Sequence, residues 1–211
     1  VGNHLILGGD NMDLALAHLV ETRMAAGSEG GMKLSAARLS QLMERCRAAK
    51  ELLLSQDAPD SATVTLLGGG SRLIGGSRSA DVTREEVAAM VVDGFFPKVE
   101  LTETAKKGRA GNVGFGLPYA QDAAITRHLA AFLGRQVAAT SELEGFAGRQ
   151  AEGASFLHPT AVLFNGGVFK SDLLVQRIMA TVNDWLYMEG AEPARMLAGA
   201  DLDLAVARGA A

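Results

Sequence analysis

Apolar positions along the chain change their period several times, and each change predicts an element. His4-Leu5-Ile6-Leu7 is a short apolar run that stops at Gly8-Gly9. It predicts a strand and a turn, after which Asp10 caps a helix with the stripe Met12, Leu16, Leu19, Val20 and Met24. The glycines from Gly27 to Gly31 end that helix in a loop. Ser35 opens a second helix, with Leu39, Leu42, Met43, Cys46, Ala49 and Leu53 spaced by three and four on one face. Arg38, Glu44, Arg45 and Lys50 fall largely off that face, and the helix is expected to end near Ser55, ahead of Asp57-Ala58-Pro59. From Ser61 the period becomes two, with Thr63, Thr65 and Leu67 against Val64 and Leu66. Gly68-Gly69-Gly70-Ser71 then reads as a turn and Arg72-Leu73-Ile74 as the returning strand of a hairpin. Thr83-Arg84-Glu85-Glu86 has the spacing of a capping box and opens a helix through Val87, Met90 and Val91, ending at Gly94-Phe95-Phe96-Pro97.

The second half starts with a glycine-rich, basic loop, Thr104 to Leu117, followed by a helix from Asp122 with Ile125, Leu129, Phe132 and Leu133. Ser141 to Ser155 has no period and reads as another loop. Ala161-Val162-Leu163-Phe164 reads as a buried strand, Asn165-Gly166-Gly167 as a tight turn, and Ser171-Asp172 as the start of a helix carrying Leu173, Leu174, Ile178, Val182 and Trp185. Glycines just ahead of a helix N-terminus let a ligand reach unpaired backbone N–H groups, and the helix dipole favours an anion there. The same pair also serves in ordinary tight connections, so the rest of the chain has to decide. Arg195-Met196-Leu197-Ala198 reads as a short strand and Asp203 to Ala207 as the start of a small-residue helix. The expected class is α/β: a partial base sheet with helices, formed by 1–7 and 97–211, and an α+β outer subdomain of helices and a β-hairpin at 8–96.

Composition narrows the chemistry. The 211 residues are 48% hydrophobic, enough to bury a core, and the formal charge of -4 argues against a nucleic-acid surface. Lys106-Lys107-Gly108-Arg109 is a short basic run and no more. No apolar run nears the ~20 residues that span a bilayer. One cysteine, Cys46, sits on a helix stripe, excludes an intramolecular disulfide and fits a reducing, cytoplasmic setting. His4, His18, His128 and His158 have no metal-ligand spacing, and no Gly-x-Ser-x-Gly elbow occurs, so neither a metal site nor a side-chain nucleophile is expected. Gly70 and Gly75 have P-loop spacing, but Gly76 stands where the phosphate-binding lysine belongs. Gly108, Gly111, Gly114 and Gly116 lack the strand before and helix after that a dinucleotide fingerprint needs. Nucleotide binding by glycine turns is what remains.

Four segments carry a resemblance. Leu7-Gly8-Gly9-Asp10-Asn11-Met12-Asp13, Arg45 to Lys50 with Leu53, Phe164-Asn165-Gly166-Gly167, and Asp203-Leu204-Ala205-Val206-Ala207-Arg208-Gly209-Ala210-Ala211 occur in that order over nearly the full chain. Together they resemble the DnaK-type, seventy-kilodalton heat-shock chaperone family, in the second lobe of its nucleotide-binding domain, an actin-like ATPase fold. The resemblance implies an ATP/ADP site: Gly9 near the ribose and phosphates, Lys50 on the helix beside adenosine, and Gly166-Gly167 as the adenosine and phosphate turn. Lys170 takes the place of an arginine that packs on the adenine face, and Asp203 that of an acid orienting this cation.

Two departures accompany it. Glu51 stands where the family stacks an arginine on adenine, and Val168 where it has a serine after the second glycine. The 104–117 loop and the 118–133 helix exceed what the main family carries, which points to a divergent bacterial-type member. The family's Asp-x-Gly-Thr and Gly-Gly-Gly-Thr hairpins, and the lysine and acids that orient water and magnesium, do not occur in these residues. The chain is therefore expected to be a fragment that holds nucleotide, with Mg held mainly elsewhere in a parent ATPase, no catalytic residue and no peptide-binding domain of its own. The expected partners are the nucleotide, the parent's first lobe and a co-chaperone, with self-association through an open edge of the base sheet. Two alternatives stand beside this: a non-catalytic docking module for exchange-factor-like partners, and a lobe of another actin-like ATPase such as a sugar kinase or filament protein.

Overall fold

The computed structural model describes residues 7–26, 34–68, 77–103, 105, 122–141, 153–199 and 201–210. The strand expected at His4 to Leu7 falls almost entirely outside them, as do the 27–31 loop, the Gly69 to Ile74 part of the expected hairpin, and most of the 104–117 and 141–155 loops. The chain is a mixed α/β protein, with two small two-stranded sheets among the described residues, and it divides into two compact units, Leu7–Asp93 and the described residues of Gly94–Ala211.

In the first unit, α1 (Gly9–Ala26) and α2 (Ala36–Leu53) pack on a hairpin of β1 (Ser61–Leu66) and β2 (Arg78–Thr83). β1 lies against α2 and β2 against α1. Helix α1 starts one residue before Asp10, so Asp10 sits in its first turn and is not the cap; Asn11 folds back instead, accepting from the Gly8 N–H at 2.7 Å. The cap of α2 is Ser35, which accepts from the Arg38 N–H. Met12, Leu16, Val20, Leu39, Leu42, Cys46, Leu53, Val64, Leu66, Val82 and Val87 form the core. The alternation expected in β1 is present, with Val64 and Leu66 buried. Its partner is not Arg72-Leu73-Ile74 but Arg78–Thr83, in register Ser61↔Thr83 through Leu66↔Arg78. Only Val82 of β2 is fully buried, so cross-strand pairing, not an apolar run, fixes that strand.

The capping box forms as the spacing implies: Glu86 N–H donates to Thr83 Oγ1, and Thr83 N–H to Glu86 Oε2. Helix α3 (Arg84–Ala88) widens into a π-helical turn at Ala89–Asp93. Glu86 also takes both Nη1 and Nη2 of Arg23, which tethers α3 to α1 and holds the Glu86 carboxyl at about 2; the Arg23 hydrogen bond is the main cause, with the Thr83 N–H second.

In the second unit, α4 (Ile125–Ser141), β3 (Ala161–Val162), a 3-10 turn at Gly167–Lys170, α5 (Asp172–Met188), β4 (Arg195–Met196) and α6 (Ala205–Gly209) follow in order. The core gathers Phe96, Leu133, Phe156, Leu174, Val182, Trp185 and Leu186. Trp185 Nε1 donates to Val99 O at 2.7 Å, which satisfies the one polar atom of that buried ring. Among the described side chains of α4 the buried ones are Thr126, Ala130 and Leu133, while Phe132, expected on the stripe, is exposed; on α5, Leu173 is exposed likewise. Glu189, at the end of α5, accepts from the Ser155 hydroxyl and contacts His158 Nε2 at 2.6 Å, fastening the segment that leads into β3.

The strand expected at Ala161 to Phe164 is shorter and less buried than its composition implies. Only Ala161 and Val162 pair, in parallel with Arg195 and Met196, and Leu163 is 57% exposed. Parallel strands are buried when both faces are covered. Among the described residues β3 has one neighbour, so Leu163 and Met196 keep much of their surface.

Candidate functional site

The six residues that the resemblance assigns fall into two groups, one in each unit. Gly9 and Lys50 belong to the first. Lys50 does not lie off the apolar face of α2: its side chain is 9% exposed and directed at α1, where Nζ lies 2.6 Å from Asp13 Oδ1. That contact has ion-pair distance but not the angles of a directed hydrogen bond, which Lys50 Nζ makes to Gly9 O at 3.4 Å. Asp13 ends one of the segments that carry the resemblance but was assigned no role in the site. It is 1% exposed, and its other oxygen takes Arg47 Nε at 3.0 Å. Arg47 reaches on to Asp10 Oδ1 at 2.7 Å.

The start of α1 therefore carries two acids and two bases in mutual contact. Carboxylates in a first turn suit the helix dipole, and Lys50 and Arg47 balance them from α2. Two acids and two bases that cancel leave the N-terminus much less attractive to an anion than its glycines suggested. Lys50 has most of its ammonium turned to Asp13 and Gly9, so what it offers a ligand is mainly a fixed position on the edge of this cluster. A signal for Asp13 was present in the sequence: positions 12, 13, 16, 17, 20 and 24 share one face of α1, and an acid on a buried stripe requires a partner. Cys46, one turn before Lys50, is fully buried, and burial, with Asp13's charge, pushes its thiol up to about 12. It is a packing residue.

Gly166, Gly167, Lys170 and Asp203 belong to the second unit. Phe164 is buried at the end of β3, and the chain then turns at Gly166, whose φ of 95° and ψ of 153° lie in a region only glycine enters without strain. The glycine pair was expected to lead straight into a helix N-terminus. Instead the 3-10 turn intervenes, closed by Phe169 N–H on Gly166 O at 3.1 Å, and α5 starts after it. Phe169 fixes this turn by packing on Phe164, with ring centroids 4.9 Å apart, and on Phe96 at 6.4 Å. The amides beside the glycines are thus those of a 3-10 turn and not of a long helix, which weakens the dipole argument and leaves the steric one. No atom lies within 4 Å of where a Cβ would stand on Gly166 or Gly167.

Lys170 closes the 3-10 turn, and its Nζ meets Asp203 Oδ1 at 2.6 Å. Both side chains are open to solvent, 54% and 64% exposed. Asp203 does not start α6. Asp201 does that work, accepting from the N–H groups of Asp203 and Leu204 through Oδ1 and from Ala205 N–H through its carbonyl, with Arg208 on its other oxygen at 3.0 Å. Asp203 is left to face Lys170. The resulting surface is a glycine turn with open backbone beside a cation on a four-carbon stem, steadied by an acid: it can lie along an aromatic or sugar face and donate to an anion. Among the described residues no group of three or more His, Cys, Asp or Glu has metal-holding geometry, and no helix is long and apolar enough to cross a membrane. No family model and no curated protein matches the chain.

Proposed function

We propose that the chain is an ATP- or ADP-binding lobe of a DnaK-like chaperone, folded as part of an actin-like ATPase, and that its own contribution is to hold adenosine. The observation that carries this reading is the Lys170–Asp203 pair. The resemblance assigned a cation to one segment and its orienting acid to another, and those two side chains are in contact beside the Gly166-Gly167 turn. In the proposed complex the Lys170 stem and ammonium lie over the adenine face, Asp203 sets their direction, and the open backbone of Gly167 admits the ribose or phosphate. Lys50 acts indirectly, by fixing the Gly9 end of α1 against α2. The bound magnesium supplies charge neutralisation to the phosphates, and its ligands are proposed to lie outside this chain. The parent protein is the proposed ATPase, with a co-chaperone and the parent's other lobe as partners.

The test is titration of magnesium ADP and ATP, by calorimetry, into the chain and into its full-length parent. A cation over an aromatic ring contributes about 0.5–2 kcal/mol, so Lys170→Ala is expected to weaken ADP binding about 2- to 30-fold. Asp203→Ala weakens it less, and Gly167→Trp abolishes it by filling the turn. Unchanged affinity in Lys170→Ala and Gly167→Trp, with folding intact by circular dichroism, would overturn the reading.

A further inference from the structure

We infer that the outer edge of β1 is a docking site for an extended, acidic segment of another protein, which adds to the hairpin as a third strand. This inference stands apart from nucleotide binding and involves only the Leu7–Asp93 unit.

The two edges of the hairpin are treated differently. On β2, Arg23 Nη1 donates to Asp81 O at 2.7 Å, so a side chain from α1 caps that edge. A carbonyl taken from outside the ladder points away from the partner strand. In an antiparallel ladder the residue opposite then points its own N–H and C=O outward too. Thr63 is opposite Asp81, and with the two-residue period Ser61 and Thr65 share its direction. Among the described residues nothing outside the ladder hydrogen-bonds these backbone groups. The strand Ser61-Ala62-Thr63-Val64-Thr65-Leu66 also has no charge and no proline, the devices that normally guard an edge.

Beside that edge runs a groove between β1 and α2. It consists of two depressions of about 640 and 400 Å³ that share Arg45, Thr65 and Leu67. Its apolar walls include Leu52 and Leu67, both well exposed. An incoming strand would place alternate side chains into this groove, as strand-adding ligands do. The charge at the rim selects which strand. Arg38 and Arg45 both line the groove, and neither guanidinium makes an ion pair among the described residues. Glu44, between them, is 3.6 Å from Arg47 and so partly neutralised. An occupant with acidic side chains on the face toward α2 meets two guanidinium groups that have no ion-pair partner among the described residues. A basic one meets repulsion.

Fluorescence polarisation of a labelled octapeptide of alternating Val and Glu, titrated with the full chain, tests this. Saturable binding is expected, weakening by about tenfold or more when Val-Lys replaces Val-Glu or when Arg38→Glu and Arg45→Glu are combined. Main-chain pairing is probed separately. N-methylation of alternate peptide amides removes the donors that an added strand needs, and Thr63→Pro removes an outward N–H while leaving the ladder's backbone hydrogen bonds in place, at the loss of the bond that the Thr63 hydroxyl donates to Asp81 Oδ1. Both are expected to abolish binding. The inference is overturned if Val-Glu and Val-Lys bind within about twofold, if the N-methylated peptide binds as well as its parent, or if no saturation occurs up to about 1 mM. It is overturned equally if sedimentation shows a dimer that Thr63→Pro dissociates, because a second copy is then the occupant.

Discussion

Replacing Asp13 by alanine strands the ammonium of Lys50 in the first unit. In the native fold Asp13 is 1% and Lys50 9% exposed, with 2.6 Å between Nζ and Oδ1. Removing one member of such a buried pair costs about 3–5 kcal/mol, because the other charge stays desolvated without a partner. The second ion contact, to Arg47, adds less: the Arg47 side chain is 41% exposed and water takes over its solvation, so about 0.5 kcal/mol is appropriate. The carbonyl of Gly9, at 3.4 Å, is too long a hydrogen bond to make up the loss. The expected total for Asp13→Ala is thus roughly 3–5 kcal/mol, against a stability of about 5–15 kcal/mol for a whole domain. In urea, with a slope of about 1–2 kcal/mol per molar for a unit of this size, the midpoint falls by about 2 M or more. The double variant Asp13→Leu with Lys50→Met takes both charges out of the interior and is expected to regain most of the loss. Urea unfolding followed by far-ultraviolet circular dichroism measures all three proteins. If Asp13→Ala lies within about 1 kcal/mol of the parent, or the double variant is no better than the single, the pair does not hold α1 to α2 and the reasoning fails.

Three further outcomes follow from the same structure. The Glu86 carboxyl is held at about 2 in the fold, below the ~4.3 of an unfolded chain, so its contribution is present above pH ~4.3 and disappears as pH falls toward 2. With the side chain 37% exposed, that contribution is about 1 kcal/mol, and thermal melts of Glu86→Gln should show this loss at pH 7 and none near pH 2. Cys46, fully buried with its thiol raised to about 12, is expected to react with a disulfide reagent at pH 8 only after unfolding; rapid labelling of the native protein would contradict its placement. Gly166→Ala meets no atom within 4 Å but forces a Cβ onto φ 95°, so differential scanning fluorimetry should show a loss of about 1–3 kcal/mol that comes from the backbone alone.

Much of the first unit was legible in the sequence because its signals are local. Ser35 and the stripe behind it fix α2, Thr83 and Glu86 fix the start of α3, and Thr63 to Leu66 alternate as a strand with one buried face must. β2 was not, since Arg78–Thr83 owes its place to β1 and carries one fully buried residue, while the more apolar Leu73-Ile74 drew the eye. In the second unit, Ala161 to Phe164 has the composition of a central strand, yet burial depends on how many neighbours a strand has, which no window of residues records. The same holds for the site. The contact of Lys170 with Asp203 was anticipated from the resemblance alone, whereas Asp13 required comparing two helix stripes at once: an acid on one and a base on the other, each otherwise apolar.

The parallel sheet has a consequence for time as well as shape. Whereas β1 and β2 share a ladder of six residue pairs, the parallel sheet is held by Arg195 N–H on Thr160 O and Leu197 N–H on Val162 O. So short a ladder opens at little free energy. The amides of Arg195 and Leu197 should therefore trade hydrogen for deuterium far sooner than those that β1 and β2 exchange across their hairpin. β3 runs directly into the Gly166 turn, so anything that steadies that turn slows those two amides first: they are a clock, readable by mass or magnetic resonance, for the state of the turn.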